Sequence, residues 1–149
     1  MKNIFNYLEI SPILSCSGMP TREQLPKLAD NGVKVVINLA TPKSEGWMPD
    51  EKEILEARNI IYYGLPIEWE EPTLSDLNTF MDIMERHRNR RIHVHCQANY
   101  RATAFIMLYR VIHLGWAEGN ALRDVLKIWN PVEYPVWQQF IEKSFLTQS

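Results

Sequence analysis

Cysteine is scarce in this chain: Cys16 and Cys96 are the only two in 149 residues, and they stand far apart. That excludes a disulfide framework, and no spacing of zinc ligands accompanies them. Charge of one sign is equally scarce. With 16 Lys and Arg against 18 Asp and Glu, the formal net charge is −2, too little for bulk attraction to nucleic acid or an anionic membrane, so any anion site must be local. No run approaches the roughly 18 apolar residues of a membrane span, and the opening MKNIFNYLEISP lacks the continuous apolar segment of a secretory leader. The expectation is a cytoplasmic protein with no nucleic-acid and no membrane partner. No Pro/Gly/Ser-rich linker, repeat or low-complexity tract divides the sequence, so residues 1–149 are expected to form one domain.

What is present is an apolar chain rich in aromatics. Hydrophobic residues make up 46% of it, and a chain of this length buries roughly 68–70% of its unfolded surface, so the core needs no disulfide or metal. Strand-like and helix-like segments alternate. After an N-terminal strand, Thr21-x-x-Gln24 reads as a capping box opening a helix through Leu25, Leu28 and Ala29, stopped by Asn31-Gly32. VKVVINL, residues 33–39, suits a strand buried on both faces. A helix follows Pro49 through Ile54 and Leu55, and then comes the apolar run from Ile60 to Ile67. Thr73 opens a longer helix with Leu74, Leu77, Phe80, Met81 and Met84 at helical spacing, ending in the basic turn Arg86 to Arg91. IHVHC, residues 92–96, is the next strand, and from about Arg101 to Leu114 the residues are apolar nearly all round, as in a helix at the centre of a fold. Helices near 118–129 and 135–146 complete the chain. The alternation predicts a three-layer α/β fold, with a central, mostly parallel sheet of four to five strands and helices on both faces.

In such folds ligands collect where strands end and helices begin, because helix N-termini present unpaired N–H groups. The junction HCQANYRAT, residues 95–103, is built for this. A thiol at Cys96 faces the head of the following helix, a position that favours the nucleophilic thiolate. Gln97, Ala98, Asn99 and Tyr100 can turn their backbone N–H groups inward as an anion nest. Arg101 adds a planar fork for two oxygens of an oxyanion. Thr103 can donate a hydrogen bond to the sulfur when it leaves.

These residues carry a resemblance. From about Ile60 to Tyr109 the chain resembles the dual-specificity branch of the cysteine-dependent phosphatases: YYGLPIEW, a helix, IHVHC, the loop, the arginine, and an apolar helix. Upstream, SGMPTREQLPKLADNGVKVVINL is similar to the N-terminal region of a bacterial phosphatase-like family related to the domain fused to β-lactamase-like hydrolases. The resemblance implies a cysteine-phosphatase-like fold that hydrolyses phosphate monoesters through a phosphocysteine. The substrate would be a phosphorylated small molecule or a phosphoprotein, and no metal or organic cofactor is implied. Carried over, Cys96 is the nucleophile, Arg101 the phosphate clamp, His95 the residue that orients the thiol, and Thr103 the leaving-group donor, with Ala102 beside them at the loop's end. Two positions depart from the pattern: four residues rather than five separate Cys96 from Arg101, and Asn99 stands where glycine is usual. Asparagine enters left-handed conformations readily, so the turn is feasible. Four residues are also the spacing of single-domain rhodanese-like sulfurtransferases. Sulfur transfer through a Cys96 persulfide, and a catalytically silent oxyanion- or partner-binding module, therefore stand as alternatives.

Phosphatase chemistry needs an acid to protonate the leaving oxygen. In the similar phosphatases an Asp serves, two residues after the LPI-like segment; Trp69 stands there in this chain. The resemblance thus shifts the acid to Glu68 or Glu70 of the loop EWEEP, with Asp76 behind them, and Trp69 can line the pocket. His93 and His95 share a strand face, but no third ligand accompanies them, so no metal is expected. Arg86, Arg88, Arg90 and Arg91 read as a solvated helix end. Cys16 reads as an inert thiol, although pairing with Cys96 is open.

Overall fold

The computed structural model describes residues 1–148, except for the side chain of Gln148. Its five strands are β1 (Leu8–Ser11), β2 (Leu14–Ser17), β3 (Val35–Asn38), β4 (Ile61–Gly64) and β5 (Ile92–His95), and they form one sheet in the order β1-β2-β5-β3-β4. β5 is central and runs parallel to β2 and β3, as β4 does to β3. Every residue of β3 and β5 is buried, which is why both read as continuous apolar runs broken only by side chains with buried partners. β4 lies at the edge and is half exposed, so its apolar signal, expected to run from Ile60 to Ile67, narrows to four residues. The N-terminal strand proves to be a hairpin. β1 pairs antiparallel with β2 and makes the sheet mixed at that edge.

Six helices follow: α1 (Leu25–Asp30), α2 (Glu51–Glu56), α3 (Leu74–Arg86), α4 (Tyr100–Ile112), α5 (Glu118–Val125) and α6 (Pro135–Gln148), with a 3-10 turn at Pro131–Glu133. Among the described residues no helix is long and apolar enough to cross a membrane. The expected capping box at Thr21 closes a turn instead of starting a helix. Gln24 Oε1 accepts from Thr21 N at 2.9 Å, but the helix begins only at Leu25, with Pro26 in its first turn, where the missing N–H costs nothing. The box at Thr73 is complete: its hydroxyl accepts from Asp76 N at 3.0 Å, and the Asp76 carboxylate accepts from Thr73 N at 3.3 Å.

Side-chain alternation on β5 assigns the layers. His93 and His95 point to the face covered by α2, whose Glu51 reaches His95, and α1 packs beside α2. Val94 points to the other face, with Cys16 opposite it on β2, and α4 covers that side with α3, α5 and α6 around it. α4 is buried continuously from Arg101 to Arg110, as its uninterrupted apolar pattern predicts. The C-terminal ends of β3 and β5 lie side by side, with Leu39 N donating to the His95 carbonyl at 2.8 Å. The loops leaving these two strands therefore open at one place.

Candidate active site

That place is a cleft of about 490 Å³. Cys96, wholly buried, lies at its base. Three loops form the walls: Thr41, Lys43 and Ser44 after β3, Glu68 to Glu70 after β4, and Gln97, Ala98 and Tyr100 after β5, with Arg101 beside them. Cys96 N donates to the Ser17 carbonyl at 3.3 Å and so continues the β2–β5 ladder by one residue before the chain turns. None of the backbone N–H groups from Gln97 to Arg101 meets an acceptor among the described residues. α4 opens here without a side-chain cap, so this loop concentrates unpaired donors of the kind that hold an anion.

Two neighbours hold the loop in shape. Asn99 takes the left-handed conformation, φ 71°, where a glycine would also fit. Its Nδ2 donates to the Asn6 carbonyl at 2.8 Å, and Asn6 Nδ2 returns a bond to the Ala98 carbonyl at 3.0 Å. Gly18 lies so close beneath the loop that a Cβ there would sit 2.6 Å from the Gln97 carbonyl oxygen. That same oxygen accepts from Met19 N at 2.9 Å. On the open side the Gln97 side chain accepts from Glu45 N at 2.9 Å, joining the loop to the segment after β3.

Arg101 is 7% exposed and donates from Nη1 to the Ile67 carbonyl at 2.8 Å. Its guanidinium keeps further donors for an oxyanion. Ile67 immediately precedes Glu68, Trp69 and Glu70, so the arginine is tied to the root of the acidic loop. Glu68 and Glu70 are exposed, and Lys43 Nζ lies 3.8 Å from Glu68. Between the two glutamates Trp69 turns inward against Tyr100, Trp129, Tyr134 and Trp137, and its carbonyl accepts from Trp137 Nε1 at 2.8 Å. Tyr100 itself stacks on Trp129 with ring centroids 4.7 Å apart.

Of the residues singled out in the sequence, Cys96, Arg101, Glu68, Glu70, Trp69, Gln97, Ala98 and Tyr100 line the cleft. His95, Asn99, Ala102 and Thr103 are buried behind it. The Thr103 hydroxyl does not reach the sulfur: it donates to the Asn99 carbonyl at 2.8 Å and accepts from Trp129 Nε1 at 2.9 Å, which uses its single proton on the loop backbone. Asp76 is likewise spent as a helix cap. Arg86, Arg88 and Arg90 are exposed at the end of α3. Among the described residues no group of three or more His, Cys, Asp or Glu is placed to hold a metal ion.

The histidines have other partners. Ser17 donates its proton to the Gly18 carbonyl at 2.7 Å, so its oxygen must accept from His93 Nε2, 2.8 Å away. His93 Nδ1 then accepts from Ser15, also at 2.8 Å. Burial pushes His93 down to about 3, in keeping with this neutral ring. His95 Nε2 pairs with Glu51 Oε2 at 2.6 Å. Cys16 is a free thiol, as is Cys96; burial pushes Cys16 up to about 12, and Asn99 Nδ2 donates to its sulfur at 3.4 Å. Sequence reasoning missed Glu51 and the Thr41–Ser44 loop. The rule that ligands gather at the ends of parallel strands applies to β3 as well as β5 and was the available signal for that loop.

A mostly parallel sheet whose central strand delivers a cysteine into a loop of unpaired N–H groups, with an arginine heading the buried helix that follows, defines the class of cysteine-dependent phosphatases, which are hydrolases. The chain belongs to the family described as DSP-PTPase phosphatase fused to NAD+ kinase, whose model matches residues 11–127. It is similar to a DUF442 phosphatase-like protein from Shewanella putrefaciens CN-32, at 30% identity and a TM-score of 0.88 over 99% of this chain and 94% of that one. Lower identities accompany two further folds of this kind. TpbA from P. aeruginosa, solved in complex with pTyr, shares 17% identity at a TM-score of 0.73, over 97% of this chain and 90% of that one. The core catalytic domain of the PP-IP phosphatase SIW14 from S. cerevisiae shares 19% at 0.76, over 93% and 85%. No curated protein matches the chain.

Proposed function

We propose that residues 1–149 act as one phosphatase domain that hydrolyses a phosphate monoester through Cys96. The thiolate attacks phosphorus in line, and a sulfur–phosphorus bond forms as the bond to the leaving oxygen breaks. The N–H groups of Gln97 to Arg101 and the Arg101 fork hold the three remaining oxygens, whose charge builds in the transition state. The leaving oxygen takes its proton from Glu68 or Glu70, on the wall facing the loop, and the same carboxylate then draws a proton from the water that cleaves the phosphocysteine. Free phosphate and the thiolate result, so no metal or organic cofactor enters. The observation that carries this reading is the convergence of the buried Cys96, the unpaired loop donors, Arg101 and two carboxylates on one cleft.

The cleft suits a phosphorylated small molecule or a phosphorylated side chain, with Trp69 and Tyr100 as its apolar surface. Two free cysteines accord with a reducing, cytoplasmic setting. The test is hydrolysis of a small aryl phosphate from pH 5 to 8, comparing the wild type with Cys96→Ser. Turnover that vanishes in the variant supports the thiolate mechanism. Turnover that persists overturns it, as does a wild type no faster than the variant.

A further inference from the structure

Behind the nucleophile lies an ionisable pair that the mechanism above leaves without a task. Glu51, the first residue of α2, is 1% exposed, and His95, whose carboxyl side carries Cys96, is fully buried. Their side chains meet at 2.6 Å. The other carboxylate oxygen, Oε1, accepts from Asn38 Nδ2 at 3.2 Å, and that amide also donates to the Tyr62 hydroxyl at 3.1 Å. Asn38 is in turn fixed by Ala40 N, which donates to its Oδ1 at 2.9 Å. α2, β3, β4 and β5 thus each contribute a side chain to one buried polar cluster at the base of the site.

Stability does not explain this cluster. A buried ion pair is often no better than well-packed apolar residues of the same volume, because both partners lose their water. Orientation explains it better. His95 Nε2 faces the carboxylate, and Nδ1 faces the carbonyl of Cys96 itself at 3.5 Å. Both ring nitrogens look at acceptor groups, so the ring is held between the Glu51 carboxylate and the peptide of the nucleophile. The remaining titratable neighbours do not compete. Tyr62 from β4 keeps its proton, pushed up to about 12 chiefly by burial and then by Glu51, and His93, on the same strand with ring centroids 6.4 Å away, is neutral. β2 presents only the Ser17 hydroxyl at this level.

We propose that Glu51 is a positioning residue for the Cys96 nucleophile, holding His95 so that the ring favours the thiolate; this deepens the phosphatase reading and rests on it. Glu51→Gln keeps the shape and removes the charge. Alkylation of Cys96 by iodoacetamide, followed by peptide mass so that Cys16 does not contribute, reads the thiolate without any turnover. The expected result is alkylation about tenfold slower near pH 6, a loss equivalent to about one pH unit, with the profile displaced to higher pH. kcat on the aryl phosphate falls while KM holds. A Gln variant that folds as the wild type and whose alkylation profile superposes on it overturns the proposal. Should the Gln variant not fold, Glu51→Asp, which withdraws the carboxylate from Nε2, is read the same way: displacement supports, superposition overturns. A wild type without phosphatase turnover defeats the phosphatase reading alone, because the alkylation comparison still reports whether Glu51 acts on the thiol.

Discussion

Arg101 Nη1 and the Ile67 carbonyl, 2.8 Å apart, join the anion loop to the root of the acidic loop. One guanidinium thus positions the backbone that carries Glu68 and Glu70 while, in the proposed mechanism, its remaining N–H groups hold substrate. Lysine cannot do both, since its ammonium is a point charge without the planar fork. Arg101→Lys is therefore expected to lower kcat/KM by about 10²–10³-fold, the scale for losing an oriented transition-state donor. It should also weaken inhibition by inorganic phosphate. Steady-state kinetics with phosphate as competitor checks both, and wild-type phosphate inhibition in the variant would contradict the clamp.

The two glutamates flanking Trp69 are distinguishable by their dependence on the leaving group. The residue that donates the proton matters most when the leaving alkoxide is a strong base and little when it is a stabilised phenolate. For one of Glu68→Gln and Glu70→Gln, turnover of an alkyl phosphate should fall by about 10²–10⁴-fold, with a far smaller loss on an activated aryl phosphate. The other should leave the ratio between the two substrates unchanged. Equal ratios in both variants would place the acid elsewhere.

Gly18 and Gln97 are in contact through backbone alone, and a Cβ at position 18 would meet the Gln97 oxygen at 2.6 Å and the Phe5 ring at 2.7 Å. The Gln97 oxygen does not yield freely, because it is held by Met19 N at 2.9 Å, whereas the exposed Phe5 ring can turn aside. Gly18→Ala should cost about 1–3 kcal/mol, as overpacking does, and should depress phosphate binding because the strain falls on the anion loop. Thermal unfolding with and without phosphate tests this. A variant that melts like the wild type in both conditions would show that the loop accommodates the methyl group.

Asn99 stands at φ 71° and donates to Asn6 O at 2.8 Å, so two substitutions separate its backbone and side-chain contributions. Glycine keeps the conformation and loses the bond. Alanine loses the bond and adds the left-handed penalty, roughly 1–2 kcal/mol. Asn99→Ala is expected to be the less stable by about that difference in urea unfolding. Equal stabilities would mean that the loop has relaxed out of the left-handed turn.

Which features are legible in the sequence depends on how local their cause is. Cys96 and Arg101 are readable because strand end, loop and helix start follow one another without interruption, and α4 announces its burial by lacking a polar face. Thr73-x-x-Asp76 is equally local, and the spacing marks the start of α3, where Asp76 completes the capping box. The Glu51–His95 pair spans 44 positions and exists only because β3 separates β4 from β5 in the sheet, so neither residue marks the other. Thr103 misleads for the same reason: its spacing from Cys96 suggests the sulfur, but Trp129, brought by the turn after α5, and the Asn99 carbonyl claim its hydroxyl.

His93 gives stability a pH dependence whose sign follows from its hydrogen bonds. In the folded chain the ring donates to Ser17 and accepts from Ser15, so it is held neutral, pushed down to about 3 by burial. In the unfolded chain a histidine takes up its proton near pH 6.5. Between these values the unfolded state binds one proton more, so stability rises with pH and is lost as pH falls from about 6.5 toward 3. The slope from this one group approaches about 1.4 kcal/mol per pH unit. Carboxylates add their own loss below about pH 5, and His87, also pushed down chiefly by burial, contributes with the same sign above it. It is therefore the difference between wild type and a His93 variant from about pH 6.5 to 5 that isolates His93. His93→Gln, whose amide can still donate to Ser17 and accept from Ser15, should flatten the curve there even where its stability at pH 7.5 is lower. Urea unfolding at half-unit pH steps measures both slopes, and parallel curves for wild type and variant would show that His93 is not the group that titrates.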